Sequence, residues 1–242
     1  MVRNHGRTGV VRSALALTAA AGLTSGAFAG VIGHQWVEID NSIGADGNAT
    51  HLNDGTLGAV YRTFDLYLQV PDSVLVLDSG FTQSQGPNSG IGVQNTSFFQ
   101  FEPGGAANDK PPLPAFYSLF PLLEFDSYVA MGDLTAPEIG LAGFTFNTSE
   151  LTGTWFTSGG SAAEPTEEGL LFAARFTVES TTGFGTDESA SRFLGGQMFL
   201  GLDGGDNNII VDISNAFGTI PAPSSAMMTG LLGLTLLRRR RG

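Results

Sequence analysis

From residue 63 to residue 70 apolar and polar side chains alternate without a break. Phe64, Leu66, Leu68 and Val70 fall on one side and Thr63, Asp65, Tyr67 and Gln69 on the other. Successive side chains of an extended chain point to opposite faces, so this period of two specifies a strand with one face in a core. Residues 169–179 repeat the pattern, with Leu170, Phe172, Ala174, Phe176 and Val178 expected inward and Leu171, Ala173, Arg175 and Thr177 opposite them. Shorter strands are expected at 31–39, 73–81, 96–101, 127–131, 139–146, 153–157, 193–202 and 208–213. Asp46-Gly47, Asp54-Gly55, Gly86-Pro87-Asn88 and Gly159-Gly160 punctuate the gaps as turns.

About ten short strands in one domain predict an all-β fold, an antiparallel two-sheet β-sandwich. The chain of 242 residues has no cysteine, so the fold rests on its core alone, for which 18 phenylalanines supply material. Residues 114–124 break the pattern. Their leucine and aromatic content predicts one or two helical turns limited by Pro121, forming a buried loop or a short helix that caps one end of the sandwich.

The two ends are of another kind. Arg3, Arg7 and Arg12 precede an apolar run over 14–23, and Ala27 and Ala29 flank Phe28. That order is a secretory signal peptide, residues 1–29, read by signal peptidase and cut after Ala29. The run is too short to span a bilayer core of ~30 Å. No Arg-Arg pair precedes it, which favours the general export route. At the other end Pro221-Ala222-Pro223 is followed by an apolar stretch over 224–237 and by Arg238, Arg239, Arg240 and Arg241. As a helix that stretch would reach roughly 21 Å, and arginines that snorkel to the headgroups extend it and hold the C-terminus on the cytoplasmic side.

This three-part tail, residues 220–242, resembles the PEP-CTERM sorting tail, with Pro221-Ala222-Pro223 standing where that family has Pro-Glu-Pro. The resemblance implies transient insertion in the inner membrane, processing by an exosortase-like membrane protease, and release to the cell surface or extracellular matrix beside exopolysaccharide. A plain permanent anchor is the alternative. The middle resembles uncharacterised exported domains that accompany such tails, through Tyr61-Arg62, Ser97-Phe98-Phe99-Gln100, Phe125-Asp126-Ser127-Tyr128-Val129, Thr154-Trp155-Phe156 and the run 170–176. It implies a shared fold over most of 57–178. The strand logic is also similar to jelly-roll, cohesin-like and carbohydrate-binding sandwiches, a likeness of fold and not of activity.

Between the two ends, residues 30–219 carry all 23 acidic residues and four basic ones, a net charge of −19. Such a domain repels phosphate backbones, so nucleic acid is excluded as a partner. Without cysteine there is no thiol nucleophile. His34 and His51 are the histidines left after processing, and no Gly-x-Ser-x-Gly elbow accompanies them. Asp65, Asp126, Glu167 and Glu168 are candidates for a carboxylate pair of a glycoside hydrolase, and Asp126 stands out by preceding a strand. Asp203, Asp206 and Asn208 offer hard oxygen ligands for calcium, although a hairpin turn explains them as well. The segment 40–54 carries the same ambiguity. Trp36, Trp155 and Tyr128, with Tyr61 and Tyr67, form a candidate stacking platform for sugar rings or else fill the core. The reading is a non-enzymatic surface protein, cofactor-free unless calcium binds. Its rivals are a carbohydrate-binding module with a defined sugar site and an extracellular hydrolase.

Mass spectrometry of the exported protein should find a mature N-terminus at Gly30; a chain beginning at Met1 contradicts the signal peptide.

Overall fold

A computed structural model of the chain describes residues 33–44, 47, 49–71, 73–79, 90–101, 109–159, 162–186, 192–203 and 208–218. The segments expected to be a signal peptide and a sorting tail lie outside these residues. Among them no helix is long and apolar enough to cross a membrane. The described residues form ten strands: β1 (Gly33–Ile39), β2 (Val60–Gln69), β3 (Val74–Asp78), β4 (Ile91–Gln94), β5 (Tyr128–Val129), β6 (Ile139–Phe146), β7 (Glu150–Thr157), β8 (Leu170–Ser180), β9 (Phe193–Leu202) and β10 (Asn208–Ile213).

All pairings are antiparallel and build two sheets. The four-stranded sheet runs β1-β2-β8-β5. The six-stranded one runs β10-β9-β3-β7, with β6 on the outer side of β7. Both β3 and β4 pair β9 on one side and β7 on the other, β3 against Leu202–Phe199 positions and β4 against Gly196–Phe193 positions. They therefore share one row, a single strand interrupted after Ser79 and resumed at Ile91. The strand expected over 73–81 is the first half of this row; the second half, β4, was not expected, because four residues containing a glycine carry too little alternation to register.

One core lies between the sheets. Phe64, Leu66 and Leu68 of β2 and Phe176 and Val178 of β8 meet Leu77, Leu151, Trp155, Met198, Leu200 and Val211 of the other sheet. Each such side chain contributes about 1.5–3 kcal/mol on burial. Phe146 of β6 closes the gap edge-on to Phe98 and Phe176, with ring centroids 5.2 and 6.2 Å apart. Phe98 lies in the expected strand 96–101, which survives as a short extension of the outer row: Phe98 bridges Val178, and Ser97 and Phe99 bond the backbone of Glu179 and Thr177.

In β8 the expected alternation is half corrected. Phe176 and Val178 face inward as read, but the β2–β8 register shifts between Leu66 and Tyr67, where Leu66 opposes Ala174 and Tyr67 opposes Phe172. The extra residue, Ala173, is a β-bulge. Every position before it changes face, so Leu171 enters the core and Phe172 faces out against the Tyr67 ring at 5.4 Å.

Residues 114–124 also depart from expectation. Two 3₁₀ turns form, Pro114–Phe116 and Pro121–Phe125, each opened by a proline that needs no N–H partner there. Leu123 and Phe125 are buried, while Leu113, Phe116, Leu119 and Phe120 are exposed. The second turn packs on the outer face of the four-stranded sheet, where Arg175 donates to the Glu124 carbonyl at 2.8 Å.

Gly196 marks the tightest packing of the six-stranded sheet. Its φ is +146°, and a Cβ there would overlap the Gly90 carbonyl oxygen. Gly196→Ala should cost at least about 2 kcal/mol, whereas Gly183→Ala, with open space around it, should stay within about 0.5 kcal/mol; urea unfolding measures both.

Candidate functional site

Two of the four candidate carboxylates, Asp126 and Asp65, are tied into the fold. Asp126 is fully buried, and its Oδ1 accepts the backbone N–H groups of Phe101 and Ser127 at 2.8 and 2.9 Å. It fastens the segment before β5 to the residues after Phe98. Asp65 is held by Arg175 in a bidentate pair, Nε to Oδ1 at 2.7 Å and Nη2 to Oδ2 at 2.8 Å. Glu167 and Glu168 are exposed in the turn before β8.

His34 Nε2 accepts the backbone N–H of Ser214 at 3.0 Å and lies 2.8 Å from its Oγ. The geometry brings a serine to a histidine, yet an N–H already occupies the nitrogen that a general base would need. Among the described residues no carboxylate bonds the other ring nitrogen. The contact closes a seam instead. Trp36 Nε1 donates to the Ser214 carbonyl at 2.8 Å, so β1 at the edge of one sheet is joined to the chain leaving β10 at the edge of the other. His51 is exposed at φ +61° and pairs with Asp54 at 2.7 Å. Hydrogen bonds from Thr56 and His51 hold the Asp54 carboxyl down to about 2.

The three rings proposed for sugar stacking are enclosed: Trp36, Trp155 and Tyr128 are 7%, 1% and 5% exposed. Trp155 donates from Nε1 to the Ala130 carbonyl at 3.0 Å and Trp36 packs edge-on to Phe64 and Phe176. A ring covered on both sides offers no face to a sugar, so the platform is not built from these. Of the calcium candidates, Asp203 is exposed at the end of β9; Asp206 and the side chain of Asn208 lie outside the described residues. The β9–β10 pairing, with Asn208 opposite Gly201, makes this connection a hairpin. In the segment 40–54, Asp40 and Asp54 cap the turns at Ser42 and Thr56. Among the described residues no three His, Asp or Glu side chains gather as metal ligands.

An aromatic surface exists elsewhere, on the outer face of the four-stranded sheet. The alternation of β2 sends Tyr67 and Gln69 outward, register places Gln35 of β1 beside Tyr67, and the bulge turns Phe172 out on the other side. Tyr67 and Phe172 are half-buried, with rings 5.4 Å apart and inclined at 40°. Tyr128 of the adjacent β5 stands edge-on to Phe172 at 6.3 Å and 89°. The Arg175 guanidinium lies 5.9 Å from the Tyr128 ring centroid, held by Asp65 and by the Glu124 carbonyl. Burial works against this guanidinium's charge, but hydrogen bonding and the charge of Asp65 outweigh it and leave its pKa above the ordinary value. Burial likewise raises the phenols of Tyr67, Tyr117 and Tyr128, so all three keep their protons at neutral pH. The surface therefore offers two ring faces, neutral hydroxyl and amide groups, and a charge pair that is already satisfied.

Sequence reading had Tyr67 and Tyr128 among the rings but put Phe172 in the core. Only the register shift reveals it, and an Ala-Ala pair in mid-strand is a weak signal for a bulge.

No family model, curated protein or solved structure matches the chain.

Burial lowers the His34 pKa below 6.5, with Asp212 opposing. The unfolded chain then binds more protons than the folded one between that lowered value and 6.5. The seam's contribution is thus complete above that range and lost as the pH falls through it. Melting followed from pH 7.5 down to 5 should show an acid-side loss of stability that is smaller in His34→Gln, whose amide oxygen still accepts the Ser214 N–H. Equal slopes in the two proteins would exclude the histidine as the cause.

Proposed function

We propose that the chain is an exported protein of the cell surface or extracellular matrix, sorted through its C-terminal tail, that works beside exopolysaccharide without catalysing a reaction. The observation that carries the reading is the order of the parts. A signal-peptide pattern precedes, and a proline motif, apolar stretch and arginine cluster follow, one acidic domain of two antiparallel sheets. Signal peptidase and an exosortase-like protease are then its processing partners, and the membrane holds the tail only transiently. Within the sandwich class we read the domain as of the jelly-roll, cohesin-like or carbohydrate-binding kind.

The non-catalytic role is supported by what Asp65 and Asp126 do: Asp65 is held through both oxygens by Arg175, and the fully buried Asp126 accepts two backbone N–H groups through Oδ1. A carboxylate that acts as acid or base must be free to reach the substrate. The second reading, a carbohydrate-binding module, is favoured by the half-buried aromatic pair Tyr67 and Phe172 on the outer face of the four-stranded sheet. Calcium remains a candidate ligand of Asp203, Asp206 and Asn208.

Fractionation of the producing cell tests the reading. The protein should appear in the envelope or medium with its tail removed, and replacing Arg238–241 by alanine should leave unprocessed chain behind. Full-length protein in the cytosol would overturn it.

A further inference from the structure

Resting on the polysaccharide-associated reading above, we infer that the outer face of the four-stranded sheet binds an uncharged glycan chain, with sugar rings stacked on Tyr67 and Phe172. The rings meet at 40° and form a shallow floor. A sugar ring has an apolar face of C–H groups and a rim of hydroxyls. It matches a half-buried aromatic ring flanked by neutral donors and acceptors. Those groups are in place: the Tyr67 hydroxyl and the amides of Gln35 and Gln69 project from neighbouring positions of the same face and have no hydrogen-bond partner among the described residues. The protonated phenol both donates and accepts, as do the amides, which suits hydroxyls whose own orientation varies.

The floor is also rigid. Its rings stand on strands rather than loops. Tyr128 packs edge-on against Phe172 from the adjacent strand, and the bidentate Asp65–Arg175 pair fixes the neighbouring position on each of the two strands. A surface held in this way loses little side-chain entropy when a ligand arrives.

Charge selects the class of glycan. The domain's four cations are all engaged within the fold: Arg62 with Glu38, Arg175 with Asp65, Lys110 with the carbonyls of Ala136 and Ile139, and Arg192 with those of Asn95 and Glu179. A uronic-acid or sulfated polymer meets no available cation here and is repelled by the acidic surface. A nucleic acid, which also stacks on aromatic rings, is excluded by its phosphates for the same reason, and a second copy of the domain by its like charge. A cationic polymer would need a carboxylate on the floor, and Asp65 is spent on Arg175. An uncharged, hydroxyl-rich chain fits what remains.

Affinity gel electrophoresis tests this, using the full chain in a detergent without a sugar headgroup, run through gels containing amylose, hydroxyethyl cellulose, galactomannan or alginate. At least one uncharged polymer should retard the protein and alginate should not. Phe172→Ala and Gln69→Ala should each weaken retardation by about 5–10-fold, and Tyr67→Phe, which keeps the ring, by about 2–5-fold. Gln69 is exposed, so Gln69→Ala keeps the fold, and unchanged melting verifies this for every variant. The inference fails if no uncharged polymer retards the protein, if alginate is preferred, or if folded Phe172→Ala and Gln69→Ala bind as the parent does. An exported, correctly processed protein that ignores all these polymers defeats this inference alone. A protein retained in the cytosol defeats the proposed function whatever the gels show.

Discussion

The two sheets have no disulfide to hold them, and the four-stranded one is built on one antiparallel ladder that also faces the shared core, the pairing of β2 with β8 from Val60 opposite Ser180 to Gln69 opposite Leu170. Its inner face supplies Phe64, Leu66, Phe176 and Val178 to the core. Its outer face carries Thr63 against Thr177 and Asp65 against Arg175, both buried by what lies over them. One strand pair thus fixes an apolar layer on one side and a polar, hydrogen-bonded layer on the other. The polar layer is as demanding as the core. A buried Asp–Arg pair adds little net stability over an apolar substitute, but losing one partner costs about 3–5 kcal/mol. It acts chiefly to exclude other registers: a slip by one residue would carry Asp65 into the core and Phe64 under the polar cover.

The alternation of 63–70 was legible because β2 runs straight, and most of the remaining strands were legible because glycine and proline mark their ends. What escaped was set by pairing rather than by local pattern. Ala173 is a bulge only because β2 passes beside it with one residue fewer, and nothing in Leu170-Leu171-Phe172-Ala173-Ala174 distinguishes the faces when all five are apolar. β4 is a strand because β7 and β9 leave a row open for it. Trp36 and Trp155 illustrate a different limit. Each ring is large enough to stack on a ligand or to fill a core, and only the position of Ser214 or of the Ala130 carbonyl decides that its N–H is satisfied inside. The helical turns of 114–124 are legible in the sequence, but its apolar composition suggests burial that only Leu123 reaches, because composition cannot say which side of a loop the sheet lies on.

The same register that was invisible locally is what makes the candidate site. Without the bulge, β8 would present Ala173 opposite Tyr67 and keep Phe172 in the core, and Tyr67 would have no aromatic partner across the ladder. A β-bulge costs ladder hydrogen bonds and is retained where it aims a side chain. Here it aims Phe172 at the position where Tyr128, Arg175 and Asp65 already form a packed support.

Charge and shape then act together. An acidic exterior with its few cations drawn inward repels its own copies and most anionic polymers, so long-range attraction is not what brings an uncharged partner to this domain. Recognition is left to short-range contact, and short-range contact is most effective where the surface is flat, rigid and free of competing charge. The part of the four-stranded sheet left uncovered by the 40–58 segment and by the 3₁₀ turns meets that description, with Tyr67 and Phe172 between Gln35, Gln69 and the locked Asp65–Arg175 pair. Binding through such a face is weak per site and insensitive to salt, and it gains strength by repetition along a polymer. That is a physical character suited to residence in a hydrated polysaccharide layer rather than to capture of a single soluble ligand.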